Sequence, residues 1–215
     1  SVLNPLLTMI VLTNVFSMLL RVTVENFATY YIIGVSLWNF FAEATSMSLT
    51  AVLGSSALIK KVYVPKYMFP LEKCIFALIN FLFSLIAAFA VMLIQGVHPT
   101  FTLLLFPLPV LYCFVFCCGM CLILSAVTVY FRDIAHLYGV LLTLWMYLTP
   151  VLYSDELLEG HKLIETIVHF NPMYYYISYF RDVIMYGTIP GLRENLVCIL
   201  MSTVVFALGA FIFKR

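Results

Sequence analysis

Apolar residues run long in this chain, and polar residues gather in short knots between them. Six runs, at about 3–20, 30–53, 69–94, 101–127, 134–151 and 196–213, hold few ionisable groups. Each is close to the roughly 20 apolar residues that a helix needs to cross the hydrocarbon core of a bilayer. The breaks between them are local. Arg21 to Asn26 ends the first run, Gln95-Gly96-Val97-His98-Pro99 is a turn after the third, and Pro150 closes the fifth. Pro5 falls in a first helical turn, where a missing N–H costs little, and Pro107 with Pro109 predicts a kink near the start of the fourth run. Between the fourth and fifth runs lies Tyr130-Phe131-Arg132-Asp133, too short to be a domain. It reads as a turn at a membrane surface that presents Arg132 and Asp133.

The stretch 152–195 breaks this rhythm. Leu157, Leu158, Leu163, Ile164, Ile167 and Val168 recur among charges at helical spacing, Asn171-Pro172 interrupts them, and a tyrosine-rich piece follows up to Gly187, a suitable C-cap. Arg181-Asp182 makes this second piece too polar to span. Two short amphipathic helices dipping into the outer interface fit it. The tyrosines then serve as an aromatic belt at headgroup level or as part of an exit gate. The expected fold is an all-α membrane protein of six transmembrane helices, with these two outer-surface helices between the fifth and sixth, in a single domain over residues 1–215.

Composition agrees. Of 215 residues, 64% are hydrophobic and 10% are charged, and mean hydropathy is +1.09. Soluble domains are about a quarter charged. The first run lacks the basic start and small-residue cleavage site of a signal peptide. A net charge of +1 argues against nucleic acid as a partner. The cations set the orientation. Lys60, Lys61, Lys66, Lys73, Arg132, Lys214 and Arg215 fall on one side, which is therefore cytoplasmic and holds both termini. Arg21, Lys162, Arg181 and Arg193 fall on the other, mostly within an acid-containing loop.

Candidate chemistry is sparse. Cys74, Cys113, Cys117, Cys118, Cys121 and Cys198 sit in or beside apolar runs, which is no secreted disulfide framework. Cys117, Cys118 and Cys121 either form a thiolate metal site or pack as small apolar groups. No histidine or acid lies near them in the run, which favours packing. The second run carries a polar stripe, Ser36, Asn39, Glu43, Ser46 and Thr50, on one helical face. A carboxylate in mid-membrane either faces a water-filled path or hydrogen-bonds a neighbouring helix. Trp38 and Phe41 flank the stripe, and Trp145 and Tyr147 lie in the fifth run. Such rings suit the apolar faces of sugars, and they are also ordinary core filling. The loop after the second run, 54–68, reads as a short surface helix with lysines, stopped near Pro65. It is an anchor or a docking knob for a cytoplasmic partner. The phosphate-loop, zinc-hydrolase and nucleophile-elbow patterns are missing, and nothing pairs a nucleophile with a base. A loaded channel without an engine borrows its energy.

Leu3-Asn4-Pro5-Leu6, Trp38-Asn39-Phe40-Phe41, Leu58-Ile59-Lys60-Lys61-Val62-Tyr63-Val64-Pro65-Lys66, Tyr130-Phe131-Arg132-Asp133-Ile134, Thr149-Pro150-Val151-Leu152-Tyr153 and Asn171-Pro172 with Tyr179-Phe180-Arg181 follow one another in order. In this the chain resembles the type-2 ABC permeases, and more closely their transmembrane subunits that export lipid-linked polysaccharides: O-antigens, teichoic acids or wall rhamnans. The resemblance implies a homodimer bound to two copies of a separate ATP-binding subunit, which would carry ATP and Mg; this chain itself would hold no cofactor. It implies coupling contacts at Ile59, Lys60, Lys61, Tyr63, Pro65 and Lys66, and a second set at Arg132 and Asp133. It implies outer gate helices bearing Tyr175, Tyr179 and Arg181, and an aromatic channel between protomers with Trp38, Asn39, Phe41, Glu43, Trp145 and Tyr147. The cargo would be a glycan on a polyprenyl diphosphate. Members of the family begin with a cytoplasmic interface helix, whereas this sequence begins almost at its first run. That implies either a preceding segment or a different coupling geometry. Two other classes stay open: a type-2 permease for drugs or small lipids, and a membrane enzyme acting on lipid-linked sugars.

Overall fold

A computed structural model describes residues 27–56, 61, 63–96, 100–151, 153 and 162–214. The expected first span at 3–20, and Ile59 and Lys60 of the first loop, lie outside the described residues. Among the described residues every regular element is helical. Helix α1 is Phe27–Leu49, followed by a single turn at Ala51–Gly54; α2 is Met68–Ile94. A 3-10 turn, Phe101–Leu105, leads into α3, Pro107–Tyr130. Pro107 stands at the start of α3, where its missing N–H and fixed φ suit the first turn. Helix α4 is Ile134–Leu148, α5 is Lys162–His169, α6 is Pro172–Arg181 continued by a wide π turn at Asp182–Tyr186, and α7 is Leu192–Lys214.

Met68–Ile94, Phe101–Tyr130 and Leu192–Lys214 are long and apolar enough to cross a membrane. At 27 residues, α2 is about 40 Å long, against roughly 30 Å of hydrocarbon. Its face at Ile75, Ile79, Leu82, Phe83 and Ile86 is exposed. The face of α7 at Leu196, Leu200, Val204, Leu208 and Phe211 is exposed too. Apolar stripes of this size suit lipid rather than water. Helix α4 is apolar but has only 15 residues, about 22 Å.

The core forms around α1, whose Ile32, Ile33, Leu37, Phe40, Phe41 and Ala44 are buried against α2, α3 and α6. Polar contacts along α1 and α2 fix an antiparallel pair. The Thr29 hydroxyl donates to Gln95 Oε1 at 2.6 Å. Ser36 Oγ lies 3.5 Å from Ser84 Oγ, and Asn80 Nδ2 donates to Glu43 Oε1 at 2.7 Å. Helices α3 and α7 run parallel and almost touch. A Cβ at Gly119 would meet the backbone of Val205 and Phe206 at 2.6 Å, and one at Gly209 would meet the Gly119 backbone. Two glycines at a crossing let the backbones approach as small-residue membrane interfaces do.

These directions bring Lys61, Lys66, Lys73, Arg132 and Lys214 to one end of the bundle, the grouping that the sequence reading made for them. Gly187 closes the π turn with φ +64, the expected C-cap, and the Thr188 N–H donates back to the Asp182 carbonyl at 3.0 Å.

One element departs from expectation. Helix α6 is not simply laid in an outer interface. Its Met173, Tyr176, Ile177, Tyr179, Phe180 and Arg181 are buried among α1, α3 and α7. It starts level with the middle of α1, because Asn171 bonds to Trp145, whose ring packs on Trp38 and Phe41. It then rises antiparallel to α3, passing Phe116 at Tyr176 and Tyr112 at Tyr179. Three tyrosines in a row and Tyr179 suggest a belt, yet Tyr176 and Tyr179 are core and Tyr174 and Tyr175 are only half-buried.

Candidate functional site

Helix α4 ends at Leu148, and the chain continues as a non-helical turn through Thr149, Pro150 and Val151. A helix C-terminus leaves carbonyls without partners and carries partial negative charge. Non-helical backbone at membrane depth is tolerated only where protein groups satisfy it. Here Arg181, 4% exposed, supplies the donors. Its Nη1 donates to the Pro150 carbonyl at 2.7 Å and its Nη2 to the Val151 carbonyl at 3.0 Å. The guanidinium lies 3.5 Å from the centre of the Tyr30 ring, a cation–π contact. Tyr30 in turn donates its hydroxyl to the Tyr153 carbonyl at 3.0 Å. Gly34 makes room: a Cβ there would collide with the guanidinium, coming 3.1 Å from Cζ.

Asn171 ties the other side. Its Oδ1 accepts from the Met173 N–H at 3.0 Å, capping α6, and from the Trp145 indole N–H at 2.8 Å. Its Nδ2 donates to Thr149 Oγ1 at 2.7 Å. Sequence stretches far apart, Thr149-Pro150-Val151, Asn171-Pro172, Arg181 and Trp38, thus meet in one buried cluster. The resemblance puts Arg181 on an outer gate helix, and a lone arginine beside an aspartate gives no sign of two carbonyls waiting elsewhere in the chain.

The expected channel residues divide. Trp38 and Phe41 are 3% and 0% exposed, so they offer no surface on this chain. They interlock with half-buried Trp145, ring centroids 6.5 and 5.0 Å away. Asn39, Ser46 and Thr50 are exposed, Glu43 is half-buried, and Tyr147 is 64% exposed. The polar stripe is therefore an open seam, apart from Ser36, which is buried against α2. Sequence reading missed its partners Asn80 and Ser84. They stand four apart inside an apolar run, and that spacing was the available signal.

At the cationic end, Lys61, Tyr63, Pro65 and Lys66 are exposed, as are Tyr130, Phe131, Arg132 and Asp133. The first loop and the α3–α4 turn share that end. At the other end Tyr175 is half-buried and Tyr179 is buried, its hydroxyl donating to Asn195 Oδ1 at 2.9 Å. All six cysteines are buried and unbridged. The Cys118 thiol lies 3.5 Å from Cys74 Sγ, and the Cys121 thiol donates to the Ala44 carbonyl at 3.4 Å. Among the described residues no three potential ligands converge on a metal position.

Comparison with known proteins gives the family. The chain is 28% identical over 212 residues to the O-antigen export system permease protein RfbA of Myxococcus xanthus, covering 99% of this chain and 82% of that protein. A protein of the same name from Klebsiella pneumoniae is 27% identical over 218 residues, with 100% and 82% covered. Another from Klebsiella pneumoniae is 26% identical over 190 residues, with 88% and 73% covered. The family description "ABC-2 type transporter" matches residues 1–185, most of the chain. The chain belongs to the ABC-2 type transporter family.

Proposed function

We propose that this chain is the transmembrane subunit of an ATP-driven exporter that moves a lipid-linked polysaccharide across the cytoplasmic membrane. The observation that carries the reading is the end-to-end likeness to O-antigen export permeases, which covers 99% of the chain in one case. The chain crosses six times, with both termini in the cytoplasm and the cationic end inward. Two copies assemble with two copies of a separate subunit that binds ATP and Mg. Tyr63, Lys66, Arg132 and Asp133 form the surface on which that subunit pushes, and they are all exposed at one end. The lysines and Arg132 draw the diphosphate of the carrier to the inner surface by charge. The glycan passes along the open seam of Asn39, Glu43, Ser46 and Thr50. Trp38, Phe41 and Trp145 hold the seam from behind.

The test is purification of the chain in mild detergent from its native membranes, with mass spectrometry of what accompanies it. A stoichiometric ATP-binding subunit is expected. If the chain emerges alone and a deletion strain keeps its surface polysaccharide, the reading fails.

A further inference from the structure

At the end opposite the cationic loops, a cleft of about 430 Å³ opens between α6 and the first turns of α7. It belongs neither to the polar seam nor to the coupling surface. Ligand pockets are typically a few hundred Å³, with aromatic walls and a few polar groups that fix orientation. The walls here have that make-up. Tyr174 and Tyr175 meet with ring centroids 5.3 Å apart at 74°, making a right-angled apolar corner, and His169 stands edge-on to Tyr174 at 5.3 Å. Asp182, Arg193 and Glu194 line the same cleft.

Charge narrows the ligand. One cation and two carboxylates give the lining a negative balance, so a phosphate or a lipid headgroup phosphate is disfavoured. The start of α7 would attract an anion, but Glu194 already sits there, with Oε2 accepting from the Gly191 N–H at 2.6 Å. A metal is disfavoured as well, because no three ligating groups converge among the described residues. A neutral polyhydroxylated ring fits both halves. Its CH face lies on a tyrosine, and its hydroxyls meet carboxylate and guanidinium groups, which accept and donate respectively.

We propose that this cleft binds a neutral sugar unit of the polysaccharide on the outer side of the membrane. The inference rests on the export reading above. Its test uses the full chain in lipid nanodiscs. The probe is the source cell's own neutral surface polysaccharide, released from its lipid by mild acid and followed by saturation-transfer NMR and calorimetry. Tyr175→Ala is expected to weaken binding by about threefold to tenfold, the loss of one stacked ring, whereas Tyr175→Phe keeps the ring and the affinity. Asp182→Asn is expected to weaken it as well. No binding by the wild-type chain, equal binding by Tyr175→Ala, or preferential binding of inorganic phosphate overturns the proposal. In cells, if deleting the gene leaves surface polysaccharide intact, the export reading falls. If deletion removes it but the double variant Tyr175→Ala/Asp182→Asn restores wild-type amount and chain length, only the cleft proposal falls.

Discussion

Arg181 decides more than any other single residue described here. Removing its side chain leaves two buried carbonyls without donors, and each such loss costs about 1–3 kcal/mol. Arg181→Met is expected to lower the melting temperature of the detergent-solubilised protein sharply. Arg181→Lys should recover little, because a point donor on a flexible stem does not span two carbonyls as a planar fork does. Gly34→Val attacks the same contact from the other side. The double variant Gly34→Val/Arg181→Met should therefore melt well above the temperature that adding the two separate losses implies, since both remove one interaction. Full additivity would show that the contact is not what Gly34 serves. At this scale the sequence was legible in type but not in position. Glu43 stood out as a mid-membrane carboxylate, and Asn80 now gives it a partner. That partner lies 37 residues away, a separation that no local pattern spans. Because an amide oxygen also accepts from Asn80, Glu43→Gln should leave melting unchanged while lowering export, which isolates the charge from the packing.

Among elements, the α3–α7 contact offers a sharp contrast. Gly119→Leu or Gly209→Leu drives a side chain into backbone that cannot yield, so folded protein recovered from membranes should fall severalfold. Gly139→Ala meets nothing within 4 Å and should be tolerated, with alanine favouring the helix by up to about 1 kcal/mol. Similar loss in all three would point to a general intolerance of glycine replacement in helices. Helix existence was readable because apolar runs are long and their ends carry Gly, Pro or charge. The ends observed differ from the runs by a few residues: Leu192 begins α7 although Arg193 and Glu194 are charged. The placement of α6 was not readable. Its charge pair marks it as too polar to span and suggests the interface, and only the carbonyls of a distant turn make Arg181 a buried residue.

For the whole molecule, the grouping of Lys61, Lys66, Arg132 and Lys214 at one end puts the charged loops where one partner can touch them together. Arg132→Ala should leave the amount and melting of the protein unchanged, because Arg132 is exposed. In the proposed assembly with an ATP-binding subunit it should let ATP hydrolysis continue while export of surface glycan drops. Normal export in that variant would remove Arg132 from the coupling. The grouping of Lys61, Lys66, Lys73, Arg132 and Lys214 at one end was readable from their places between the apolar runs. Which helices touch, and along which faces, required the long-range polar pairs and the glycine crossing.

The early end of α4 has a mechanical consequence. A continuous 20-residue rod resists bending, because the hydrogen bonds along its convex side must lengthen. Here one rod stops at Leu148 and another begins at Pro172, and they are joined by side chains: Asn171 to Thr149 and Trp145, Arg181 to Pro150 and Val151. Such a joint gives way at a few directed bonds and leaves both rods intact. The weakest links between the two rods are therefore a handful of side-chain bonds, and the resistance of this part of the bundle to bending is set by residues that single substitutions can reach.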